Sequence, residues 1–165
     1  MNVRPYPGVL SNRLRATLRL AADGLFAGLL PQHCFLCGEG SGAALLCSAC
    51  RADLPALPSG ACPICALPTG EDLVCGPCQR HPRAFDRTVS AFLYEFPVGE
   101  LVQALKYGHR LQVAGFFADR VAARLAIDDL SVHPLPDLIL PMPLHPARLA
   151  RRGYNQAAEI ARPLA

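Results

Sequence analysis

All eight cysteines of the chain fall into four C-x-x-C pairs: Cys34/Cys37, Cys47/Cys50, Cys62/Cys65 and Cys75/Cys78. Two residues between thiolates let one tight turn present both sulfurs to a metal ion at about 2.3 Å. A tetrahedral ion needs two such turns. Nine residues separate the pairs within each half, enough for a short hairpin that brings the chain back. Shifting the first four cysteines by 28 positions lands on the last four. The flanks agree, Leu45-Leu46 preceding Cys47 and Leu73-Val74 preceding Cys75, so one small unit is duplicated. Gly38, directly after Cys37, suits a turn that needs positive φ, and Ala66 stands at that place in the second unit. Pro63 and Pro77 stiffen their turns.

Four thiolates fill the coordination shell of zinc and leave no position for water, so the pattern predicts two structural zinc ions and no catalytic residue there. A disulfide framework would close very small rings. A thioredoxin-like redox motif needs one pair at a helix start, not four in a repeat. The simplest arrangement puts Cys34, Cys37, Cys47 and Cys50 on one ion and the last four on the other; an interleaved arrangement would use the same residues. His33 and His81 flank the cluster and read as surface residues.

A second segment has unusual chemistry. Leu140-Pro141-Met142-Pro143-Leu144-His145 leads to Arg148 and then to Arg151-Arg152-Gly153-Tyr154-Asn155-Gln156. A buried strand ending in a Pro-rich loop, followed by arginines near a helix start, suggests an anion site. Ligands of open α/β sheets lie beyond strand carboxyl ends, and helix N-termini and guanidinium groups both favour phosphate oxygens. An ordinary loop with solvated arginines is the competing reading.

The elements that must position these groups follow from periodicity. Leu10 to Leu30 reads as a basic amphipathic helix, packed on the domain behind it in preference to a membrane surface. Arg87 to Tyr94 reads as a strand. Pro97 opens a helix with Leu101, Val102 and Leu105 on its inner face, and Gly108 ends it. A further helix spans about Gln112 to Ile127, with Val113, Phe116, Phe117, Val121 and Leu125 as its apolar stripe. Asp137 to Leu140 suits a buried parallel strand. The expected domains are an N-terminal amphipathic helix over 1–31, a double zinc ribbon over 32–82 and the start of an α/β domain over 83–165.

With 52% hydrophobic and 18% charged residues, the 165-residue chain is globular rather than disordered. No apolar stretch reaches the roughly 18 residues of a membrane span, and Gly24 to Leu30 lacks a signal-peptide cleavage site, so a cytoplasmic protein with reduced thiols is expected. Fifteen arginines beside a single lysine read as coding bias before chemistry. The formal charge of +3 counts cysteines as neutral. Eight thiolates and two divalent ions add four negative charges, for a balance of about −1, so a basic pI is poor evidence for nucleic-acid binding.

The order of motifs resembles the ComF family of competence-associated proteins. An N-terminal helix, the C-x-x-C ribbon, Leu105-Lys106-Tyr107, Pro141-Met142-Pro143-Leu144-His145 and Arg152-Gly153-Tyr154-Asn155-Gln156 come in the family's order, over roughly residues 10 to 165. Met142 stands where the family more often has Val. The resemblance implies a type I phosphoribosyltransferase-like α/β domain, a phosphoribosyl pyrophosphate ligand with magnesium, and a role in DNA uptake. By that analogy His145, Arg148, Arg151 and Arg152 face pyrophosphate oxygens, and Lys106 is a further anion contact. The acidic pair and Thr-Thr-Gly loop that bind ribose phosphate in such enzymes do not occur here. The chain is therefore expected to be a truncated product, a fragment or half of a split protein, inactive alone. The alternative expectation is a non-catalytic module whose ribbon, through Phe35, Leu36, Ile64 and Arg51, binds single-stranded nucleic acid or docks a helicase-type partner.

Overall fold

The computed structural model describes residues 32–71, 73–127 and 136–165. The helix expected over Leu10 to Leu30 lies outside them. The chain divides into two compact units, one ending at Asp53 and the other beginning at Leu54.

In the first unit, β1 (Gln32–His33) pairs antiparallel with β2 (Gly40–Gly42), and α1 (Ser48–Ala52) follows. These elements are too short to persist by propensity alone. The cysteines they carry must supply the rest.

The second unit opens on the same motif. An isolated bridge joins Ala61 to Pro68, and α2 (Gly76–Arg80) follows. Its remainder is helical: α3 (Val98–Tyr107), α4 (Gln112–Leu125), α5 (Pro146–Arg152), α6 (Gln156–Ala161) and a closing 3-10 turn, Arg162–Leu164. Pro97 caps α3, one position before the place expected of it. Glu100 in the first turn and Lys106 in the last both complement the helix dipole. Helix α4 packs against α3, α6 and the 3-10 turn. The core between α3 and α4 is Val98, Leu101, Leu105, Val113, Ala114 and Ala118, with Leu101 and Val113 wholly buried. Each such large aliphatic chain contributes about 1.5–3 kcal/mol. Phe116 and Phe117 extend the stripe, and Phe92 stacks on Phe116 with centroids 6.3 Å apart.

Both expected strands are absent. Around Phe92 the backbone makes one isolated bridge, to Ala56, and Leu93 N–H donates to the Pro55 carbonyl. From Asp137 to Leu140 there is no strand, and Leu138 and Leu140 are 69% and 80% exposed. A strand exists only where a neighbour accepts its ladder hydrogen bonds and covers its faces, and neither run meets one among the described residues. No parallel sheet is therefore formed among them.

Candidate functional site

In the first unit the β1–β2 hairpin carries the first cysteine pair at its tip. Cys34 N–H donates to the Glu39 carbonyl, and Gly38 N–H donates to the Cys34 carbonyl at 2.9 Å, closing a tight knuckle. Gly38 has φ +79, where a side chain is strained. The second pair arrives on a helix rather than in another hairpin: Cys47 caps α1 and Cys50 lies within it.

The second unit repeats this at an offset of 28 in almost every bond. Cys62 N–H donates to the Leu67 carbonyl, Ala66 N–H to the Cys62 carbonyl at 2.9 Å, and Gln79 N–H to the Cys75 carbonyl as Arg51 N–H does to that of Cys47. Ala66 takes the left-handed conformation of its glycine counterpart, φ 59, despite its β-carbon. A position where the turn overrides so unfavourable a geometry, at about 1–2 kcal/mol, is held by something stronger than the turn itself.

The sulfurs supply that. They form two groups, Cys34, Cys37, Cys47, Cys50 and Cys62, Cys65, Cys75, Cys78, each with all four atoms within 4.8 Å of one another. The pairing is thus sequential, not interleaved. None of the eight is in a disulfide. A tetrahedron of sulfurs about 2.3 Å from zinc has edges of about 3.8 Å. Cys37 and Cys47 sulfurs lie 3.7 Å apart, and those of Cys65 and Cys75 3.5 Å. The donor sets fit zinc, as a structural ion with a closed shell.

The electrostatics ask for the same cation. Burial pushes the Cys34 thiol up, but backbone N–H groups of Cys37, Cys47 and Leu36 outweigh it and bring it to about 6. The backbone of Cys75, then those of Cys65 and Ile64, likewise lower Cys62 to about 6 against its burial. The opposite happens to their partners. The Cys37 and Cys47 sulfurs push the Cys50 thiol up. The Cys78 backbone pulls Cys75 down, yet burial and the surrounding sulfurs take it up to about 12. Each group is prepared to hold thiolates, and a divalent ion lets all four ionise.

The two groups differ in their surroundings. Cys37 is exposed and Cys47 and Cys50 half-buried, whereas Cys62, Cys75 and Cys78 are all buried. The Arg83 guanidinium hydrogen-bonds the Cys78 sulfur, and the negative sulfurs raise its own pKa. Sequence reasoning missed Arg83. The signal was faint: an arginine five residues after the last cysteine, where the first repeat has Pro55.

The other flagged motifs meet in space. The Tyr154 hydroxyl donates to the Leu105 carbonyl in the last turn of α3, a group the helix itself cannot satisfy. Burial pushes the Tyr154 phenol up, which keeps that donor protonated. Asn155 donates through Nδ2 to the Met142 carbonyl at 2.9 Å and caps α6 by accepting from Ala157 N–H at 3.0 Å. The Arg152 guanidinium lies 4.9 Å over the Tyr107 ring, and His109 meets Tyr154 edge-on. So the end of α3, the Pro141 to His145 loop and the turn after α5 form one junction. Gly153, at φ 78, makes that turn.

Of the residues expected at the anion site, Lys106 is half-buried in the last turn of α3. His145 caps α5, its Nδ1 accepting from Ala147 N–H at 3.2 Å, which puts the ring proton on Nε2. Arg148 and Arg152 follow His145 at three- and four-residue steps on one face of α5. Arg148 and Arg151 are exposed, Arg152 half-buried. The Arg152 Nε and Gln156 Nε2 atoms are buried without an acceptor. Helix N-termini, expected to serve the anion, are instead engaged by the side chains of His145 and Asn155.

Residues 25–79 match the double zinc ribbon domain family. The chain is homologous to proteins named DNA utilization protein YhgH, at 38% identity in Salmonella typhi (63% of this chain, 47% of the relative). The protein of that name in Escherichia coli K12 is 33% identical (62% and 46%). Competence protein F of Haemophilus influenzae is 33% identical over 72% of this chain and 52% of its own length. The chain spans about half the length of the curated relatives it matches. No solved structure matches it with significance. These relatives bear out the resemblance read from the motifs. No helix among the described residues is long and apolar enough to cross a membrane.

Proposed function

We propose that this chain serves the handling of DNA, in keeping with the relatives named DNA utilization protein, that it does so in the cytoplasm, and that the junction at 105–156 recognises the phosphates of a phosphoribosyl pyrophosphate-type ligand. The observation that carries the second half is the convergence of Leu105 to Tyr107, the Pro141 to His145 loop and Arg152 to Gln156, three runs far apart in sequence, through Tyr154, Asn155 and Arg152. The segments that meet there also carry Lys106, His145, Arg148 and Arg151, and these are the groups proposed to reach the ligand. Guanidinium forks suit phosphate oxygens, and the lysine adds a point charge. Magnesium would accompany a pyrophosphate group. The role proposed for these residues is binding of the phosphates.

Calorimetric titration of phosphoribosyl pyrophosphate with magnesium into a full-length relative carrying these motifs tests the ligand. Heat that disappears on replacing Lys106 and Arg148 by alanine at the equivalent positions is the expected result; no heat at all removes the ligand. The DNA role is tested by deletion of the gene, with DNA uptake and use as the readout. A deletion strain indistinguishable from its parent would remove it.

A further inference from the structure

The two groups of four sulfurs share a plan but not an enclosure. Sulfur spacing is nearly the same in both, 3.7 Å between Cys37 and Cys47 and 3.5 Å between Cys65 and Cys75. In either group two sulfurs are close enough to join after a small rotation of their side chains. What differs is access. Cys62, Cys75 and Cys78 are buried, with Ile64 and Val74 packed against them. Arg83 donates to the Cys78 sulfur and engages an electron pair that an oxidant would need. In the first group Cys37 is exposed and Cys47 and Cys50 are half-buried, so Cys34 alone is sealed. The knuckle after Cys37 runs Gly38-Glu39-Gly40, with no apolar side chain, where the second repeat has Ala66-Leu67-Pro68.

An accessible thiolate is the form of cysteine that attacks electrophiles, and exposure selects which sulfur meets them. We infer that Cys37 is the oxidation site of a redox switch, at which a peroxide releases the first zinc ion and leaves the second in place. The Cys37 thiolate attacks one peroxide oxygen, the O–O bond breaks, hydroxide leaves and Cys37 becomes a sulfenic acid. The Cys47 thiolate, 3.7 Å away, attacks that sulfur, the S–S bond forms and a second hydroxide leaves. The two thiolates lose two electrons, the peroxide gains them, and two protons from solvent turn both hydroxides into water. Cys34 and Cys50 are then the ion's remaining ligands, half of the shell that zinc requires. The first compact unit holds this group whole and ends at Asp53. Its strands of two and three residues and its five-residue helix do not stand without the ion. Oxidation therefore unfolds residues 32–53 and spares the second ribbon. A thiol reductant with zinc reverses it. The switch is independent of the phosphate ligand and of the DNA role proposed above.

The test is stoichiometric hydrogen peroxide added to the zinc-loaded full chain, with a colorimetric chelator too weak to strip the untreated protein. One ion of the two should be released. Peptide mapping after the remaining thiols are blocked should find Cys37 joined to Cys47, and Cys62, Cys65, Cys75 and Cys78 still as thiols. Dithiothreitol with added zinc should restore both ions. Cys37→His keeps a ligand that zinc accepts and removes the oxidisable sulfur, so this variant should hold both ions at the same peroxide dose. Mapping on the parent chain decides even where that variant does not load its first ion. Release of both ions at one rate, release of neither, or a disulfide that omits Cys37 or Cys47 would overturn the inference. So would a loaded Cys37→His chain that loses its first ion as fast as the parent.

Discussion

Asn155 has two duties that can be separated. Its Oδ1 caps α6 by accepting from Ala157 N–H, and its Nδ2 ties the Met142 carbonyl to the turn. Asn155→Ser keeps an N-capping oxygen and deletes the tie. The tie is exposed, so it belongs at the lower end of the ordinary hydrogen-bond range, about 0.5–1 kcal/mol. Asn155→Ala removes the cap as well, adding about 1 kcal/mol. The expected losses are therefore about 0.5–1 kcal/mol for serine and about 1.5–2 kcal/mol for alanine. Asn155→Asp is the informative third variant: it keeps the cap and adds a charge favoured at a helix start, but sets an oxygen against the Met142 carbonyl.

Urea unfolding in a zinc-buffered solution measures all three, because buffered metal contributes equally to each variant. Serine and alanine losing equally would refute the cap. Serine losing nothing would refute the tie, and with it the claim that Asn155 holds the Pro141 to His145 loop in place. Phosphate-ligand affinity gives a second readout. The loop is set by the tie, so serine should weaken the ligand as much as alanine does, although it costs less stability.

Ala66→Gly should stabilise the second ribbon by about 1 kcal/mol, because it relieves a β-carbon at φ 59 and restores what the first repeat has at Gly38; urea midpoints will show the sign. Leu101→Ala, at a wholly buried position of α3, should cost about 3 kcal/mol by the same measurement. Metal analysis should find two zinc ions per chain, one for each group of four sulfurs. On treatment with a thiol alkylating agent the ion of Cys34, Cys37, Cys47 and Cys50 should leave first, since Cys37 is exposed and three of the four sulfurs of the other group are buried. Peptide mapping of the alkylated thiols reads this directly, and simultaneous loss from both groups would contradict it.

What was legible in the sequence was what is decided locally. The C-x-x-C pairs fix their own knuckles, and the offset of 28 carried over to hydrogen bonds, caps and helix ends. Helices α3 and α4 were legible because Leu101 and Leu105 in one, and Val113, Phe116, Phe117 and Val121 in the other, recur at helical spacing, and Gly108 marks the stop between them. The strands were misread because Val, Ile and Phe content records a preference for a pleated surface, and only a neighbouring strand turns it into one. The motif junction was legible as a set of residues but not as contacts. Nothing in the sequence announces that Tyr154 satisfies a carbonyl 49 residues away.

Charge then sets a condition on any phosphate-binding role. The formal +3 becomes about −1 once eight thiolates and two divalent ions are counted, so the chain has no long-range attraction for a polyanion. At physiological salt, exposed charges act over only about 8 Å, and binding must come from local groups. The second zinc group carries two net negative charges when filled with Zn²⁺. Arg83, against Cys78, offsets part of that charge, and the first repeat, which has Pro55 at the matching position, has no such residue there. Arg83→Ala should therefore speed the loss of zinc from the second group to a chelator, more at low salt than at high salt, and an equal effect at every salt concentration would overturn that electrostatic account.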